Sequence, residues 1–149
     1  MLYKVSSYSW RFVYLMYSLK YKLKWKFNGP GVRIIGNGRI YVGAGGYVSR
    51  GSQIVLERGC TVDIGSNVTI GHHVMIYTSG RDALSHIQGY SKIRKGNVVI
   101  EDNVIIGSGV FVSPGVRIGA NSFIGANVTV SKNIPSNSIV SVACKQQRF

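Results

Sequence analysis

Apolar residues recur along much of this chain every six positions. Ile64, Ile70 and Ile76 begin one series, and Ile100, Ile106, Val112, Ile118, Ile124 and Val130 continue it in the same phase. A companion series runs two residues earlier through Val62, Val68, Val74, Val98, Val104, Val110, Val116 and Val128, with Ser122 as its one polar member. Glycines follow the first series at Gly65, Gly71, Gly107, Gly119 and Gly125. Val42, Val48 and Ile54 repeat with a displacement of two residues, so the register slips once near residues 54–62. A continuous helix would return its face every three to four residues, and hairpins would bring turn signals at 8–12-residue spacing. A six-residue period fits a solenoid instead: a short β-branched strand, a turn rich in Gly, Asn or Asp, and inward residues stacked from coil to coil. Three such sides make one coil.

The series breaks once, over Tyr77–Asn97, where an excursion from the coil is expected. A loop of that length in a compact domain is usually functional or disordered, so it is the first place to look for chemistry. The N-terminal segment follows another rule. Leu2, Val5, Tyr8, Phe12, Leu15, Met16 and Leu19 fall at helical spacing, and from Leu19 to Phe27 the alternation reads as strand, with Asn28-Gly29-Pro30-Gly31 as punctuation. Such a piece would cap the open end of a solenoid, whose edges need protection. A membrane-surface role for its tryptophans, tyrosines and lysines is the sharper alternative. The expected organisation is a basic cap over residues 1–30, a β-helix over 31–140 with the loop at 77–97, and a tail over 141–149.

Composition narrows the picture further. The 149 residues are 45% hydrophobic, which excludes a disordered chain, and their length predicts no second full-size domain. The apolar run Phe12–Leu19 is too short to span a bilayer and no cleavage site for a secretory leader follows it, so a cytoplasmic protein is expected. Cys60 and Cys144 read as isolated reduced thiols. Lys and Arg number 18 against 5 Asp and Glu, and the first 56 residues contain nine cations and no carboxylate. Nucleic acid, an acidic membrane face and a phosphorylated small molecule would all suit that charge. No helix-turn-helix, zinc-finger or RNP motif accompanies it, so a nucleic-acid partner is not expected.

Among the three histidines, His86 alone lies in the excursion, where an imidazole could serve as general base near neutral pH. His72 and His73 follow Gly71 at a turn and read as outward, turn-filling residues. A zinc site built from all three would need two adjacent residues to converge, so no metal is expected. No Gly-x-Ser-x-Gly elbow is present, and Asp82 is the one acid in the loop that could orient His86.

The string VVIEDNVIIGSGVFVSPGVRIGANSFIGANVTVSKNIPSN, residues 98–137, resembles the C-terminal coils of hexapeptide-repeat acyltransferases. The nearest branch is the small O-acetyltransferases of surface-polysaccharide synthesis, with the galactoside and maltose acetyltransferases. The resemblance implies an all-β fold, a left-handed parallel β-helix, assembled as a homotrimer with acetyl-CoA in a groove between neighbouring solenoids. It implies His86 as catalytic base, with Ser108, Ala126, Ser131 and Lys132 lining the groove and Lys145 and Arg148 near the coenzyme's phosphates. The acceptor would be a sugar or glycan hydroxyl; peripheral contact at the inner membrane face is the expectation from the basic N-terminal segment itself. N-acetylation of a nucleotide-linked amino sugar, a non-catalytic trimeric scaffold that binds glycan or membrane, and a zinc hydratase are the alternatives. The chain departs from the family pattern at Ile105, at Asn127, at the tail Ser141-Val142-Ala143-Cys144-Lys145, and in having one loop histidine where two are common.

Overall fold

The structure is a computed structural model that describes residues 3–23, 25–82, 85 and 87–142, with side chains from residue 10 onward. It is a parallel β-solenoid of about five turns behind one helix. The first face contains β1 (Lys26–Asn28), β4 (Tyr47–Ser49), β7 (Thr69–Ile70), β12 (Ile105–Ile106), β15 (Phe123–Ile124) and β17 (Ile139–Val140). The second contains β2 (Arg33–Gly36), β5 (Gln53–Leu56), β8 (Met75–Tyr77), β13 (Phe111–Val112) and β16 (Thr129–Val130). The third contains β3 (Arg39–Val42), β6 (Thr61–Ile64), β11 (Val98–Ile100) and β14 (Arg117–Ile118).

Both six-residue series point inward. Ile70, Ile76, Ile100, Ile118 and Ile124 have no exposed surface, and the companion valines fill the space beside them. Ser122, the polar member, is buried near the last coil, where its hydroxyl donates to the Pro135 carbonyl (3.0 Å) and accepts from Ser138 N–H (3.2 Å). A buried hydroxyl that makes both bonds avoids the desolvation penalty of an orphan. The slip after Ile54 is a wider turn, Glu57–Cys60, between the second and third faces. At the corner from third face to first, Asn67, Asn103, Asn121 and Asn137 have φ of 57–59°. Their side-chain amides form a ladder, with Asn67 donating to Asn103 (3.2 Å), Asn103 to Asn121 (3.0 Å) and Asn121 to Asn137 (3.2 Å). Asparagine tolerates the left-handed region, and the stacked amides also pin one coil on the next.

The N-terminal reading needs one correction. Helix α1 runs over Tyr3–Tyr21, and strand begins only at Lys26, so the alternation from Leu19 to Tyr21 is helical. Lys22 ends the helix at φ 52°, and Leu23 N–H donates to the Ser18 carbonyl at 3.1 Å. That is a Schellman-type closure, made here without the glycine that usually announces it. The helix packs on the first coil through Tyr14, which joins Val32, Ile34 and Ile40 in the core. The Tyr14 ring stacks on Phe27 at 4.4 Å, and Trp10 and Tyr17 lie beside it. Its hydroxyl accepts from Val32 N–H (2.8 Å) and donates to the Gly29 carbonyl (3.0 Å), and burial raises its pKa. Tyr14→Phe would leave the buried Val32 N–H unpaired, a loss of about 2 kcal/mol. Calorimetry should register this as a Tm lower by roughly 4–8 °C; an unchanged Tm would remove Tyr14 as the pin of the cap.

Candidate functional site

Two corners border the outer surface of the second face. At the corner shared with the first face, Ser108 and Ala126 stand in successive turns, one coil apart, both exposed. Asn127 N–H donates to the Ser108 carbonyl (2.9 Å), and His72 N–H donates to the Ser108 hydroxyl (3.3 Å), so a column of turns runs His72, Ser108, Ala126. Glycine is required beside this column. A methyl on Gly71 would stand 2.8 Å from Ser108 N, and one on Gly107 would stand 2.6 Å from Ala126 N. At the opposite corner, shared with the third face, Ser131 and Lys132 leave β16, both exposed. Phe111 and Thr129, paired across β13 and β16, lie outward between the two corners.

The excursion leaves the same corner as Ser131 and Lys132. It begins as an antiparallel hairpin, β9 (Ser79–Arg81) with β10 (Ile93–Lys95), whose pairs include Ile93 with Arg81 and Lys95 with Ser79. Gly96 N–H closes its neck on the Thr78 carbonyl at 3.0 Å, and the buried Thr78 hydroxyl accepts from Glu57 N–H (2.7 Å) and donates to the Val55 carbonyl (3.0 Å). Glu57 also receives Lys95 Nζ at 2.8 Å, and that hydrogen bond and charge hold its carboxyl below the usual carboxylate range. The wide turn that caused the register slip is therefore the footing of the hairpin.

Farther out, Ser85 is fully enclosed. Its N–H donates to the Asp82 carboxylate (3.2 Å), while its hydroxyl donates to the Asp82 carbonyl (2.8 Å) and accepts from Lys92 N–H (3.0 Å). Asp82 thus works on the loop's own backbone. His86, the next residue, lies outside the described residues, as do Lys145 and Arg148 and the thiol Cys144. Cys60 is a buried free thiol. Beneath the hairpin a cavity of about 330 Å³ opens between Tyr77, Arg81, Arg94, Phe111 and Ser113, with the Tyr77 and Phe111 rings edge to face at 5.3 Å. Sequence reasoning passed over this cavity, because its residues come from two coils and both arms of the hairpin. His72 and His73 sit at the other corner, exposed, His73 with φ 54°. Among the described residues no three His, Cys, Asp or Glu side chains gather as metal ligands.

Chemically, the second face presents Phe111 and Thr129 between its two corners, with a lysine at one edge and the anchored hairpin leaving that same edge. Residues 97–132 match the bacterial transferase hexapeptide family, in six repeats. No curated protein sequence matches the chain. Among solved structures, a hexapeptide-repeat acetyltransferase from Vibrio cholerae in complex with acetyl coenzyme A is similar with a TM-score of 0.65 and 25% identity, over 83% of this chain and 69% of that one. A maltose O-acetyltransferase from Clostridium difficile gives a TM-score of 0.61 and 30% identity, over 78% of this chain and 64% of its own. A galactoside acetyltransferase in complex with coenzyme A gives 0.60 and 28%, over 83% and 64%.

Proposed function

We propose, from the premise that this chain is a hexapeptide-repeat acyltransferase, that it moves the acetyl group of acetyl-CoA onto a sugar hydroxyl in the cytoplasm, during assembly of a surface polysaccharide. The observation that carries the reading is the second face, edged by Ser108 and Ala126 on one side and by Ser131, Lys132 and the anchored hairpin on the other. The maltose and galactoside enzymes among the similar structures favour a sugar hydroxyl as acceptor. His86 takes the hydroxyl proton as the oxygen attacks the thioester carbonyl, and a backbone N–H steadies the oxyanion. The C–S bond then breaks, and the imidazolium returns the proton to the coenzyme's thiolate. No acyl-enzyme is needed, since no serine or cysteine nucleophile is paired with that base by any motif.

Lys132 is assigned to the lining of the coenzyme groove, and Lys145 and Arg148 to the coenzyme's phosphates, to which a cationic rim contributes charge-assisted hydrogen bonds. A homotrimer is the expected assembly. Ile105, Phe123 and Ile139 form an outward apolar column in register on the first face, with Tyr47 beyond Thr69 at its other end, all four apolar residues exposed in the single chain, and a neighbouring solenoid would cover them.

The direct test offers acetyl-CoA with hydroxyl sugars and, in parallel, amino sugars, and follows free thiol. Release with hydroxyl acceptors supports the reading, release confined to amino sugars moves it to N-acetylation, and no coenzyme binding leaves a scaffold. Lys132→Ala should raise KM for acetyl-CoA about tenfold, the loss of one charged contact with the coenzyme, with kcat little changed. An unchanged KM would take Lys132 out of the coenzyme groove.

A further inference from the structure

Helix α1 has two apolar faces, and the solenoid uses only one. Trp10, Tyr14, Tyr17 and Tyr21, spaced four, three and four residues apart, turn toward Phe27 and the first coil. Phe12, Leu15, Met16 and Leu19 recur at the same helical spacing on the other side, and they are 65%, 55%, 51% and 67% exposed. Four large apolar side chains in one stripe are far from the scattered single residues that a soluble surface ordinarily shows. At 3.6 residues per turn, Arg11 falls on one flank of this stripe and Lys20 on the other. Arg11 lies 5.8 Å from the Trp10 ring centre and Lys20 Nζ lies 5.0 Å from that of Tyr21, so each cation sits where the two faces meet. No carboxylate lies in α1 or anywhere before Glu57.

We propose that the Phe12–Leu15–Met16–Leu19 stripe of α1 is a docking surface for an anionic lipid bilayer, lying in the plane of the membrane with Arg11 and Lys20 at the phosphates. The charge selects the occupant. A second copy of the helix would bring cations against cations along both edges, whereas anionic headgroups neutralise them while the acyl boundary takes up the stripe. The geometry is that of a helix lying on a membrane, since no helix among the described residues is long and apolar enough to cross one. The aromatic face stays on the solenoid, so docking needs no rearrangement of the cap. Nothing in this inference rests on the acyl-transfer site, and either can fail alone.

The test is co-sedimentation of the full chain with vesicles of phosphatidylcholine alone and of phosphatidylcholine with about one third phosphatidylglycerol. The protein should pellet with the anionic vesicles, less so in 0.5 M salt, and remain in solution with the neutral ones. A variant with Phe12, Leu15, Met16 and Leu19 all replaced by Gln should lose at least about tenfold in vesicle affinity and keep its Tm and its oligomeric state. R11Q with K20Q should weaken binding to anionic vesicles while the stripe is intact. A wild-type protein that stays in the supernatant with anionic vesicles overturns the proposal. So does an apolar-stripe variant that binds vesicles as the wild type does, or one that changes oligomeric state instead, which would make the stripe a contact between copies.

Discussion

Replacing His86 by alanine is expected to lower kcat by roughly 10²–10⁴ and to leave KM for acetyl-CoA within about twofold, the usual signature of a lost general base. The expectation rests on what surrounds the position in sequence and in the fold. The residue before it, Ser85, is enclosed and hydrogen-bonded to both ends of the loop through Asp82 and Lys92, and the hairpin below is fastened to the preceding coil by Glu57 and Lys95. These bonds hold Ser85, the chain neighbour of the proposed base, in place, as a positioned base requires. His72 and His73 stand at the other corner of the second face and offer no replacement there. The pH profile supplies a second readout. If an imidazole is the base, kcat/KM rises with pH through the ordinary histidine range near 6.5, and that limb disappears in the variant. Turnover by H86A equal to the wild type, with the limb retained, would assign the base elsewhere.

The core of this fold was legible because a six-residue period admits few other structures. Each inward position of the two series is buried, and even the lapse at Ser122 falls where the last coil supplies hydrogen bonds to satisfy it. The slip near 54–62 was also visible, but its meaning was not, since it takes the bonds of Glu57 to Thr78 and to Lys95, 38 residues later, to show the widened turn to be the foot of the hairpin. The helical spacing of Leu2, Val5, Tyr8, Phe12, Leu15, Met16 and Leu19 marks α1, and the capping role follows from that spacing in the sequence. The solenoid instead takes the aromatic positions, because Tyr14 can stack on Phe27 and also bond Gly29 and Val32, which an aliphatic side chain cannot do. Two faces of similar hydrophobicity on one helix leave a periodicity argument without a way to choose. The cavity beneath the hairpin was invisible for a related reason: Tyr77, Arg81, Arg94 and Phe111 share no spacing in sequence and meet only through coil stacking and the ladder of β9 with β10.

Gly107→Ala should cost about 3 kcal/mol in stability and roughly 6–12 °C in Tm. Its φ is not in the left-handed region, so conformational freedom is not what the site demands. Space is: the added carbon would meet Ala126 N at 2.6 Å and both Gly125 C and Ile124 O at 2.9 Å. All three are backbone atoms of the next coil, and Gly107 N–H already donates to Ile124 O at 2.7 Å, so no side chain can swing aside to make room. Relief would have to come from lifting one coil off another, which strains the inter-coil hydrogen bonds on both sides of the corner. Gly80→Ala is the matched control. Its nearest neighbour is a Pro114 carbon at 3.9 Å, an ordinary contact, so its Tm should stay close to that of the wild type. Because the corner opened by Gly107 carries Ser108 and Ala126, any G107A protein that remains folded should also show a raised KM for acetyl-CoA, whereas a purely structural turn would lose stability and leave KM alone. Equal melting of the two variants would mean that the coils separate more easily than their backbone spacing allows.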